Sequence, residues 1–272
     1  MTNVSHRLQR AAAAGGSALA LTLMLGVAAS NCAGAGEAEA KSLLKAMSDF
    51  MAGQKTISFD YDANFEIVSV DNQRIALASS GKVALSRPDK IRATRVGGFA
   101  NVEMVFDGKT LTLLGKNANV YTQADIPGTV DHLIDELKDK YDRPLPAADL
   151  LLSNAYDQLI PDVLDAKDLG SGVIGGKECD HLAFRNKEVD WQIWIAQGDQ
   201  PYPCRFVITS KLVAGGPQYS VQISNWKAGG DVTSSDFAFS APAGAKSVDM
   251  KVLKTVPEMD EMPSHFTRGA VQ

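Results

Sequence analysis

Few residues in this 272-residue chain have the types and spacing of a reacting centre. Asp180 adjoins His181, as an acid that orients a base would, yet neighbouring residues of an extended segment point to opposite faces and cannot share a site. No serine occupies a Gly-x-Ser-x-Gly elbow, and the paired glycines follow no phosphate-loop pattern. Asp60, Asp62 and Glu66 fall on one face of an extended run and read as a solvated surface. Met259, Met262 and His265 are three residues apart, and thioether with imidazole suits copper(I). Pro263 and the acidic neighbours make a polar tail the better reading of that segment. The chain is therefore expected to carry no catalytic residue, no cofactor and no metal.

The elements around these residues say more. Residues 179–185, 190–195 and 203–208 read as three short strands, with turns at Asn186–Glu188 and Gln197–Gln200. If Phe184 lies opposite Trp191 and Trp191 opposite Ile208, then Leu182, Phe184, Trp191, Ile193, Phe206 and Ile208 share one apolar face. The other face gathers His181, Trp194 and Arg205 in one cross-strand row. In that register Cys179 and Cys204 stand two strands apart, roughly 10 Å, on opposite faces, whereas bridged Cα atoms are usually within about 7 Å. A bulge at Pro201-Tyr202-Pro203 would be needed to join them. Export to an oxidising space nevertheless favours a disulfide over two buried thiols.

Export is indicated by the N-terminus. His6, Arg7 and Arg10 precede an Ala/Leu-rich run over residues 11–30, and small residues follow, the pattern of a secretory signal peptide over residues 1–36. A retained membrane anchor and a lipid-modified Cys32 are the weaker readings, because the run is Ala-rich and Ala29-Ser30-Asn31 lacks the residues of a lipoprotein signal. The formal net charge of −5 offers no basic surface for nucleic acid. No second apolar run of membrane length is present, so the mature protein is expected to be soluble or in peripheral contact with the membrane.

Residues 37–247 then suffice for a single domain, with 248–272 as a flexible tail. Leu43, Leu44, Met47, Phe50 and Met51 recur at helical spacing. Ile57 to Ile67 alternates as a long strand, and a turn centred on Asn72 would place Asp62 opposite Lys82 on the next. Asp107-Gly108 signals another hairpin. After Pro127 the pattern becomes helical: Thr129 can cap a helix with Val130, Leu133, Ile134, Leu137 and Tyr141 on one stripe, and two shorter helices follow before Pro161. Extended segments resume from residue 163.

The segments Cys-Asp-His-Leu-Ala-Phe-Arg (179–185), Asp-Trp-Gln-Ile-Trp-Ile (190–195) and Pro-Tyr-Pro-Cys-Arg (201–205), with the Arg-Pro-Asp-Lys turn at 87–90, resemble the signature of an uncharacterised bacterial family of predicted periplasmic proteins. Members of that family resemble the lipoprotein-carrier (LolA/LolB-like) half-barrel superfamily. The resemblance implies an α+β, mainly β fold: a curved antiparallel sheet of about ten strands with helices in its concave face. It also implies noncatalytic binding of a lipid or acyl chain in the cell envelope. The concavity is then expected to be lined by Leu182, Phe184, Trp191, Ile193, Phe206 and Ile208, with Phe59, Phe65, Leu133 and Leu137. The alternative is a module that binds an envelope protein partner or senses a signal, with these residues packed as a solid core.

Overall fold

Alternating side chains build two antiparallel meanders, and both belong to one open, curved sheet. In a computed structural model, which describes residues 32–141, 143–230 and 237–259, the first meander comprises β1 (Thr56–Val68), β2 (Arg74–Ser86), β3 (Lys90–Gly97), β4 (Asn101–Phe106), β5 (Thr110–Gly115) and β6 (Val120–Asp125). The second comprises β7 (Asp165–Ile174), β8 (Lys177–Arg185), β9 (Val189–Ala196), β10 (Pro203–Ser210) and β11 (Gln218–Ala228). The last strand of the second meander returns to the first strand of the other, so the sheet order is β12-β6-β5-β4-β3-β2-β1-β11-β10-β9-β8-β7. Its twelfth member, β12 (Lys246–Ser247), is a two-residue parallel addition to β6. The expected sheet of about ten strands is thus met and slightly exceeded.

Turn chemistry fixes the hairpins. Gly108, at φ 95°, turns β4 into β5 while Asp107 Oδ1 accepts from the Lys109 and Thr110 amides at 3.0 and 2.7 Å. The β1–β2 hairpin differs from its expected register: Lys82 faces Asp60, with Nζ 2.8 Å from Oδ1, and Asp62 faces Ser80. The turn closes on Ser69–Gln73, centring the hairpin on Asp71. A slip of two residues keeps every side chain on its face, so the apolar pattern cannot distinguish the two registers. In the second meander the expected pairs Phe184 with Trp191 and Trp191 with Ile208 are present, as is the row His181–Trp194–Arg205.

The concave face is covered by helices drawn from two places in the chain. α1 (Cys32–Gly53) buries Leu44, Met47 and Met51 completely and lies against β7, β8 and β9. α2 (Val130–Asp139) is capped by Thr129, whose hydroxyl accepts from the His132 amide at 3.2 Å, and it buries Val130, Leu133, Ile134 and Leu137. A 3₁₀ turn at Ala148–Leu151 and α3 (Ala155–Leu159) complete the cover, and Ser48 of α1 accepts from the Tyr156 amide at 3.0 Å.

The chain after residue 248 does not run free where it is described. Residues 250–255 and 257–259 form 3₁₀ turns, and Glu258 and Met259 are buried. The cause is a backbone need on the β5–β6 hairpin: Glu258 accepts from the Asn117 amide at 2.9 Å and the Ala118 amide at 2.6 Å. A carboxylate satisfying turn amides was not foreseeable from the local pattern.

Candidate functional site

The two helical covers fit the sheet differently. Under α1 the second meander is solid: Phe184 and Trp191 stack at 3.9 Å between ring centroids, Phe206 lies tilted against Trp191 at 5.8 Å, and the indole of Trp191 donates to Asn186 Oδ1 at 3.0 Å. Under α2 the first meander leaves a space of about 480 Å³, within the roughly 300–1,000 Å³ usual for small-molecule sites. Its floor is β1 to β5 with β11, through side chains such as Ala63, Ala93, Met104 and Val221, and its roof is α2 with the segment 143–151.

This placement divides the ten residues expected to line the concavity. Phe59, Phe65, Leu133 and Leu137 line the space. Leu182, Phe184, Trp191, Ile193, Phe206 and Ile208 share the expected face but belong to, or pack against, the solid core, and none borders the space. The physical reason is α1, a 22-residue helix that fills the concavity over the second meander.

The roof is held by one half-buried arginine. Arg87, in the β2–β3 turn, donates to the Leu151 carbonyl at 2.8 Å and lies 3.8 Å from Asp131 of α2. Asp131 in turn accepts from the Ser153 amide and hydroxyl. Arg87 thus ties the β2–β3 turn to α2 and the 3₁₀ turn, and Asp131 adds the segment beyond it.

Polar groups in the cavity wall are few, and sequence reasoning overlooked them. Tyr61 of β1 and Arg95 of β3 stand in one cross-strand row with Gly81 between them. Gly81 has a packing role: a Cβ there would lie 2.6 Å from the Tyr61 ring and closer still to the Thr94 carbonyl oxygen. The bare glycine lets the tyrosine ring cross β2, and its hydroxyl donates to the Thr94 carbonyl at 2.9 Å. Tyr219 of β11 also faces the space. Burial pushes both phenols up in pKa, and in each case the charge of Arg95 opposes the shift. The available signal was Arg95 itself, a charge in phase with Ile91 and Ala93 on the apolar side of an alternating strand.

Cys179 and Cys204 lie together on the convex face, both buried, as free cysteines beside Ala196. The obstacle of opposite faces is removed by the bulge the sequence required: Pro203 pairs with Ile195 and Arg205 with Trp194, leaving Cys204 as the extra residue. Burial raises both thiol pKa values, most strongly that of Cys204, where the neighbouring Cys179 adds to the effect. His181 stacks on Trp194 at 4.0 Å and bonds Gln192 at 2.9 Å, which makes it a packed surface histidine. Among the described residues no group of three His, Cys, Asp or Glu could hold a metal ion. Met259 lines the cavity, whereas Met262 and His265, like the segment read as a signal peptide up to residue 31, lie outside the described residues. No helix among the described residues is long and apolar enough to cross a membrane.

A family model described as "Predicted periplasmic protein (DUF2092)" matches residues 40–251. No curated protein matches the chain. Among solved structures, an uncharacterized conserved protein from Thermus thermophilus is similar with a TM-score of 0.48 at 12% identity, over 78% of this chain and 99% of that one. MucB in the MucA/MucB complex of Pseudomonas aeruginosa is similar with a TM-score of 0.45 at 14% identity, over 75% of this chain and 62% of that one. A LolA superfamily protein from Nitrosomonas europaea gives 0.34 at 11% identity, over 74% of this chain and 97% of that one.

Proposed function

We propose that this chain, which belongs to the DUF2092 family of predicted periplasmic proteins, is a noncatalytic binder of one acyl chain, held between the first meander and the α2 lid. The observation that carries the reading is the contrast between the two halves of the concavity: solid under α1 and open, with a mainly aliphatic and aromatic wall, under α2. Removing a chain of about ten methylenes from water contributes roughly 8 kcal/mol at ~0.8 kcal/mol each. That corresponds to dissociation constants on the order of micromolar, before the cost of ordering the ligand is subtracted.

Arg87, through the Leu151 carbonyl and Asp131, is the contact that would hold the α2 roof over the chain. The rival reading, a protein-binding module with a filled interior, fits the open space less well. Two expectations from sequence accompany the proposal: export through a signal peptide within residues 1–36, and a Cys179–Cys204 disulfide in the oxidising compartment.

The direct test is titration of the purified protein with a neutral apolar fluorophore, N-phenyl-1-naphthylamine. A saturable blue-shifted enhancement with one site per chain, reversed by fatty acid, is the expected outcome. Absence of saturable binding to the folded protein would contradict the proposal.

A further inference from the structure

The cavity wall carries an uneven charge. Its ionisable side chains of fixed sign are Arg95, Arg143 and Glu258. Glu258 is occupied, each of its oxygens accepting a backbone amide of the β5–β6 turn. Arg143 donates to the Met259 carbonyl at 3.1 Å. Arg95 is different: among the described residues it has neither a carboxylate nor a hydrogen-bond acceptor, and its guanidinium rests 5.7 Å from the centre of the Phe99 ring. A half-buried guanidinium retains its charge whatever its surroundings, and it presents a fork of donors suited to an oxyanion. Its nitrogens are not sealed from solvent, so the fork is within reach of a ligand anion, which would exchange water for charge-assisted hydrogen bonds there.

The neighbours of Arg95 sharpen this. Tyr219 has no hydrogen-bond partner for its hydroxyl among the described residues, and the half-buried residue faces the same space. The Tyr61 hydroxyl is held on the Thr94 carbonyl, one residue from Arg95, by the gap that Gly81 leaves. The groups left free to donate at this part of the cavity are therefore the Arg95 guanidinium and the Tyr219 hydroxyl, with Ser79 of β2 also in the wall. The Glu258 carboxylate, which stands over Gly115 in the same cross-strand row as Arg95 and Val102, is taken up by the turn amides.

We infer that Arg95, flanked by Tyr61 and Tyr219, is the headgroup site of the cavity, and that the ligand is an anionic amphiphile whose carboxylate or phosphate meets the guanidinium while its chain lies under α2. This rests on the acyl-chain reading above and deepens it by naming the charge of the ligand. The acceptor chemistry is shared by a free fatty acid and a phosphate-bearing lipid, and the two are separable by experiment.

Displacement of N-phenyl-1-naphthylamine at pH 8 by dodecanoate, dodecanol and dodecyl phosphate tests the inference. A charge-assisted hydrogen bond predicts that dodecanoate, dodecyl phosphate or both bind about tenfold or more tighter than dodecanol. In Arg95→Gln that advantage should shrink to about twofold, with the dodecanol affinity kept, because only the ionic contact is removed. Tyr219→Phe, which removes the phenol whose hydroxyl has no partner among the described residues, should reduce the advantage in part, and provides a second variant should Arg95→Gln fail to fold. Whichever anion gains more identifies the source, a carboxylate lipid or a phosphate lipid. Equal affinity for acid, phosphate and alcohol in the wild-type protein would overturn the headgroup site while leaving the apolar cavity standing. An anion preference that survives both variants would also overturn it. Failure of the fluorophore and all three amphiphiles to bind would refute the cavity reading and the headgroup site together.

Discussion

Ala93→Phe separates the cavity from the fold more cleanly than any truncation. Ala93 sits on β3 between Val83 of β2 and Met104 of β4, and all three side chains border the space under α2. A phenyl ring added there projects into the volume an acyl chain would use, displacing roughly five methylene equivalents at ~0.8 kcal/mol each. The expected loss is about 4 kcal/mol of binding, on the order of a thousandfold in dissociation constant. The fold should gain, because filling an existing cavity commonly adds about 0.5–2 kcal/mol. The assay pairs the fluorophore titration with thermal unfolding of the same samples. Binding lost with Tm unchanged or raised supports the cavity. Wild-type affinity with an unchanged Tm would place any ligand elsewhere and refute the reasoning.

Three further outcomes follow from particular contacts. Ile193→Ala, fully buried in the solid core under α1, should lower stability by about 2–5 kcal/mol in denaturant unfolding while leaving the ligand affinity of the folded protein unchanged. For Glu103, burial pushes the carboxyl up, but hydrogen bonds from Lys116 at 2.9 Å and Arg92 at 2.5 Å outweigh it and hold the pKa below the ordinary value. A depressed carboxyl stabilises the fold above its unfolded pKa of about 4.3 and loses that contribution as pH falls through the folded value, so the acid unfolding of Glu103→Gln should be flatter than that of the wild type in this range. Finally, protein exported to the periplasm should gain two hydrogens in mass on reduction of Cys179–Cys204. In the reduced, folded state both thiols should resist alkylation at neutral pH, since burial holds them protonated.

The second meander was legible from sequence because its pattern leaves no freedom. Bulky residues alternate through Leu182, Phe184, Trp191, Ile193, Phe206 and Ile208, and any odd register slip would turn them to water. The β1–β2 register was not legible, because an even slip preserves the faces and only the turn at Ser69–Gln73 decides. The cavity was harder still. The sequence shows two apolar helices and one concave face, but which helix fills its half and which leaves space depends on how α1 meets β7 to β9. A filled core and a cavity wall use the same residue types. Cys204 illustrates the opposite case: the bulge that its pairing required was named by Pro201 and Pro203, which cannot support a regular ladder. The Glu258 contact spans 140 residues or more and has no local signature.

The most direct test of the central claim is native mass spectrometry of the mature protein purified from a bacterial periplasm, with organic extraction of whatever accompanies it. The account predicts one amphiphile per chain, recovered in the extract as an acyl compound with an anionic head. A clean unliganded mass that persists after incubation with mixed envelope lipids would contradict it.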